Sequence, residues 1–123
     1  MHLADQLAID VPGDRFDDEC WYWAAVTGWA LHRSAVRDEY RYLERPVGFP
    51  LRLLLQRRDD NDGRARGHLD LATDDVPELV DVHRRLGATL HHAFGYWTTL
   101  LDPAGFPYCV TSRDPRTGVL KVS

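Results

Sequence analysis

"GHLDLATDDVPELVDVHRRLGA", residues 67–88, holds two periodicities in one line. In its first residues His68 and Asp70 alternate with Leu69 and Leu71, the period-two pattern of a strand with one buried face. Past Asp74 the period lengthens, and Val76, Leu79, Val80 and Leu86 fall on one helical stripe. Asp75 is placed to cap this helix, Glu78 follows three residues on as in a capping box, and Gly87 closes it. The pattern predicts a strand feeding directly into an amphipathic helix.

The same order stands upstream. "QLAIDV" (Gln6 to Val11) alternates, with Leu7, Ile9 and Val11 on one face and Gln6, Ala8 and Asp10 on the other. "PGD" breaks that strand. "RFDDECWYWAAVTG" then reads as a helix, with Asp17 and Asp18 near its positive end and Gly28 as the stop. Its buried stripe is Phe16, Cys20, Trp23, Ala24 and Thr27, and the cluster Trp21, Tyr22, Trp23 and Trp29 is assigned mainly to packing. Three strand-like runs follow each helix: "WALHRSAV", "YRYLE" and "LRLLLQR" in the first half, "TLHHAF", "YWTTLLD" and "FPYCVTS" in the second. Asp102, Pro103 and Gly105 supply the last turn. The charged stretch "RRDDNDGRARG" (Arg57 to Gly67) is the natural linker.

Each half thus reads strand, helix, strand, strand, strand. The expected fold is α+β: a single domain over 1–123, with module 1 at about 1–58, a linker at about 59–65 and module 2 at about 66–123. Two βαβββ modules would form a curved, mostly antiparallel sheet around a cleft.

Composition excludes several classes. A chain of 123 residues with 44% hydrophobic and 28% charged content suits one globular domain, not a disordered tail. Its net charge of -4, from 15 basic and 19 acidic residues without a basic stripe, argues against a nucleic-acid partner. No apolar run approaches the roughly 20 residues needed to span a bilayer, so no membrane partner is expected. The opening "MHLADQLAID" lacks a basic region followed by an apolar run, so no signal peptide is expected. Cys20 and Cys109 form neither a C-x-x-C pair nor a disulfide framework, in keeping with a cytoplasmic protein.

Parity nominates the functional face. The apolar side of each leading strand should lie under its helix. Gln6, Ala8 and Asp10, and His68 and Asp70, then look away from the helices and enclose a partly polar cleft. His68 with Asp70 is a candidate for ligand orientation or general-base work. Cys109 shares parity with Thr111 and is read as a small residue lining or backing the cleft. Trp97 and Tyr108 lie on strands expected to wall it, and one or both are candidates to stack on a flat ligand. Arg52 shares parity with Gln56. His32, His83, His91 and His92 are read as surface or structural residues.

The histidine strand, capped helix, Leu-Gly-Ala stop and "WTTLLDPAGFPYCV", with "WYWAAVTGW" and "LLLQR" upstream, resemble the glyoxalase/bleomycin-resistance/dioxygenase superfamily. This is the vicinal oxygen chelate fold, in its glyoxalase-like branch. The resemblance covers nearly the whole chain and implies a homodimer. In that family's metal enzymes the ligands come from the first and last strands of each module. By position these places are Gln6, Gln56, His68 and Cys109. Gln56 and Cys109 stand where those enzymes commonly place glutamates. Such a donor set suits Mg²⁺ or Mn²⁺ poorly, and a softer ion would find only His68 and Cys109. The expectation is therefore a small-molecule-binding protein without a functional metal, using Gln6, Gln56, His68, Asp70, Trp97 and Cys109. The alternatives are a divalent-metal-dependent lyase, isomerase or dioxygenase acting on vicinal oxygens, and a regulatory or interaction module.

Overall fold

Alternation at residues 6–11 belongs to a longer strand, β1 (His2–Val11), in a computed structural model that describes residues 2–35, 37–59, 63–94 and 97–114. Of the expected linker, residues 60–62 lie outside the described residues. After β1 come a 3-10 turn (Gly13–Arg15), α1 (Phe16–Thr27), β2 (Leu31–Arg33), β3 (Tyr40–Leu43) and β4 (Arg52–Arg57). The second half runs β5 (Arg66–Thr73), α2 (Val76–Leu86), β6 (Thr89–Ala93), β7 (Trp97–Leu101) and β8 (Pro107–Thr111). The protein is α+β, and each half carries the expected strand-helix-strand-strand-strand order. Contacts divide it into two compact units, Gln6–Gly67 and Met1–Asp5 with His68–Ser123.

In the unit Gln6–Gly67 the strand order is β2-β3-β4-β1, with β4 parallel to β1 and the other pairs antiparallel. Asp17, Asp18 and Glu19 occupy the first turn of α1, where the helix dipole favours negative charge. Gly28 ends the helix at φ 70°, a left-handed conformation that a residue with a Cβ adopts at a cost. The core is Val11, Phe16, Cys20, Leu43 and Leu55, with Ile9, Trp23, Ala24, Trp29 and Leu53 packed against it. The apolar parity of β1 therefore lies under α1, as alternation requires. Burial pushes the Cys20 thiol up to about 11, against a smaller opposing pull from Arg41. Trp21 and Tyr22 depart from the expected packing role: they are 72% and 51% exposed, because a 100° step per residue turns them off the Phe16–Cys20–Ala24 stripe.

In the other unit the order is β5-β8-β7-β6, again with one parallel pair, β5 with β8. The capping expectation holds: Asp75 Oδ1 accepts from the Glu78 N–H at 3.1 Å, and Gly87 ends α2. Leu79, Leu100 and Val110 form the core, with Leu71, Val76, Val80, Ala88 and Tyr108 against it. Leu86 is a correction, since the last helical residue is 78% exposed and the stripe stops at Val80. Tyr108 is another. Its hydroxyl lies 2.7 Å from His83 Nδ1 on α2, so it packs on the helix side rather than facing a ligand. Removal from water raises its pKa, with a smaller push from the Asp102 charge. The ladder between β6 and β7 shifts register between Leu90 and His92, and all five residues of β6 are exposed.

Candidate functional site

The helix-free face of the unit containing 68–114 is assembled by register. Parallel pairing sets Asp70 opposite Cys109 and Ala72 opposite Thr111. Antiparallel pairing adds Thr99 opposite Cys109 and Trp97 opposite Thr111. Paired residues share a face, so His68, Asp70, Cys109, Thr99 and Trp97 all project from the side that α2 does not cover.

Three of these groups converge. His68, Asp70 and Cys109 each offer one donor atom, and these atoms all lie within 4.8 Å of one another. His68 Nδ1 stands 2.9 Å from Asp70 Oδ1. The Asp70 side chain is 6% exposed and that of His68 17%, so the pair is largely withdrawn from water. This short contact sets the Asp70 carboxyl beside the imidazole and limits how the ring can turn. Cys109 Sγ lies 3.5 Å from Thr99 Oγ1. Beyond them Trp97 is half-buried, with the Phe94 ring at 4.6 Å and the His92 ring 4.2 Å further on.

In the unit Gln6–Gly67 the helix-free face of β1 and β4 carries Gln6, Ala8 and Asp10 with Arg52, Leu54 and Gln56. Register keeps the two amides apart. Gln6 pairs with Arg52 and Gln56 with Asp10, an offset of four residues, or about 13 Å along the ladder. Gln56 has Asp10 and Tyr40 as its direct neighbours across the strands.

Sequence reading placed Asp70 beside His68 but did not count it as a possible metal donor. The usable signal was the H-x-D spacing on one strand face; what it lacked was the β5–β8 register that brings Cys109 across from Asp70. Thr99 was missed for the same reason.

A profile of the glyoxalase-like domain matches residues 6–111. The chain belongs to the glyoxalase-like domain family. That family places it in the vicinal oxygen chelate superfamily, and solved structures agree on the fold. A methylmalonyl-CoA epimerase in complex with methylmalonyl-CoA and NH₄⁺ is 17% identical, with a TM-score of 0.60 over 89% of this chain and 93% of that one. A variant of the Streptomyces coelicolor methylmalonyl-CoA epimerase, in complex with 2-nitronate-propionyl-CoA, is 17% identical, with a TM-score of 0.59 over 88% and 94%. The Mn(II)-bound glyoxalase from Novosphingobium aromaticivorans is 18% identical, with a TM-score of 0.58 over 89% of this chain and 39% of that one. No protein of curated function matches by sequence.

The Mn(II)-bound glyoxalase raises the question of whether the residues here fit an ion. Without Asp70, the positions Gln6, Gln56, His68 and Cys109 contain no carboxylate. With Asp70, an imidazole, a carboxylate and a thiol are gathered in one unit, and that trio fits a divalent ion. Among the described residues no helix is long and apolar enough to cross a membrane.

Proposed function

We propose that this glyoxalase-like protein binds a small molecule on the helix-free face of the unit containing 68–114, with His68 and Asp70 as polar anchors. The convergence of His68, Asp70 and Cys109 within 4.8 Å on a face free of helix carries the reading. His68, oriented by Asp70, donates to or accepts from the ligand; Trp97 offers a flat wall; Thr99 and Cys109 line the floor. The similar epimerase structures hold acyl-CoA ligands, so acyl-CoA esters join aromatic antibiotics and aromatic metabolites as probes. A ligand that binds only the native state raises the melting temperature. The expected result is a rise with one probe class that His68→Ala abolishes; no rise with any probe defeats the reading. A cytoplasmic homodimer goes with it, and size-exclusion chromatography tests the dimer.

The Asp70 carboxylate favours a second reading, a divalent-metal-dependent lyase, isomerase or dioxygenase. His68, Asp70 and Cys109 would hold the ion. When bound, it would polarise vicinal oxygens of a substrate and stabilise developing negative charge on them. His68 and Asp70 would then be committed to the ion, and Trp97 would keep its wall role. Elemental analysis of protein purified without chelator decides: stoichiometric metal that is lost in His68→Ala supports this reading, and its absence removes it.

A further inference from the structure

We propose that His68, Asp70 and Cys109 form a site selective for thiophilic divalent ions of the Zn²⁺ class, bound through the Cys109 thiolate, and that it discriminates against Mn²⁺ and Mg²⁺. The proposal rests on the second reading above, that an ion occupies this cluster.

Three observations carry it. Register sets Cys109 directly across from Asp70, with His68 two residues along the same strand face, so one imidazole nitrogen, one carboxylate oxygen and one sulfur fall within 4.8 Å. Asp70 is 5% exposed, so a charged donor is already held away from bulk water. The third observation is the hardness of the set. Mg²⁺ and Mn²⁺ prefer oxygen ligands, and here one carboxylate faces two softer donors. Zn²⁺ accepts nitrogen, sulfur and oxygen together, and three protein ligands leave a fourth position for water or substrate. A thiolate in place of an oxygen donor therefore changes which ion the site retains.

The chemistry balances without an oxidant. On binding, the Cys109 S–H bond breaks, an S–metal bond forms, and the proton leaves to buffer. Affinity therefore falls as the solution is acidified. The other thiol, Cys20, is buried in the core under α1 and serves as an internal control.

The test is a titration of the metal-free full chain with Co²⁺, followed by competition with Zn²⁺, Cd²⁺ and Mn²⁺. Wild type should develop the near-ultraviolet thiolate-to-cobalt charge-transfer band, which Zn²⁺ displaces; Mn²⁺ should compete at least about tenfold less well than Zn²⁺. Cys109→Ala should lose the band and weaken Zn²⁺ binding by at least about 10-fold, no less than the loss of an outer-shell partner costs. Cys20→Ala should keep both. Cys109→Ser serves if the alanine variant does not fold. Co²⁺ binding without the band, or Mn²⁺ bound more tightly than Zn²⁺, overturns the thiolate site while leaving the metal reading standing. Failure of every ion to bind overturns both.

Discussion

Arg113 grips Asp5 through two hydrogen bonds, Nη1 to Oδ2 at 2.9 Å and Nη2 to Oδ1 at 2.6 Å, with both side chains buried. Such a bidentate pair fixes orientation as well as charge. Removing one partner leaves the other ionised and buried, whereas removing both does not. Arg113→Ala should therefore destabilise the protein by about 3–5 kcal/mol. The double variant Asp5→Leu/Arg113→Met should recover most of that. Urea unfolding of the wild type, the single variant and the double variant checks this; equal losses in the two variants would contradict it.

His68 and Asp70 make a related prediction with a smaller amplitude. Asp70 is 5% exposed and stands 2.9 Å from the imidazole, so His68→Ala strands a carboxylate that water hardly reaches. A loss of about 1–3 kcal/mol is expected. Asp70→Asn keeps an acceptor oxygen without the charge and should cost less. Both variants should lose the ligand-induced rise in melting temperature. Separating the loss of stability from the loss of binding requires melts with and without ligand.

The cap of α2 is a local device. Asp75 Oδ1 satisfies the Glu78 N–H at 3.1 Å, one of the donors that the start of a helix leaves over. Asp75→Ala should cost about 1 kcal/mol, and Asp75→Ser much less. Chemical denaturation resolves the two. An unchanged midpoint in the alanine variant would show that the cap contributes nothing.

Cys20 gives stability an alkaline limit. Burial raises its pKa from 9.0 to about 11, so the folded protein keeps a proton that the unfolded chain releases. Stability from this group is full below pH 9 and falls as pH rises from about 9 to about 11, where the unfolded state binds fewer protons. Cys20→Ala should be less stable at neutral pH but flatter across that window. Urea midpoints at several alkaline pH values test the slope.

Much of the fold was legible because burial on one face writes itself as alternation. β1 and β5 announced their apolar sides, and "DDVPELVDVHRRLGA" announced both ends of α2. The N-terminal extension of β1 was not legible, because Asp5 is buried by a partner 108 residues away. Parity did separate Tyr108 from the cleft, since alternation along β8 sets it on the face opposite Cys109, against α2. The site followed the same rule. His68 and Asp70 are read from one strand, but their meeting with Cys109 depends on inter-strand register, which no local pattern encodes. Register likewise separates Gln6 from Gln56, although both carry the polar parity.

The register shift between Leu90 and His92 bears on how the molecule survives at high concentration. β6 ends the β5-β8-β7-β6 order, and all five of its residues are exposed. A straight ribbon in that place would template the addition of foreign strands and, in time, fibrils. One skipped pairing interrupts the row of amide groups that such growth must copy.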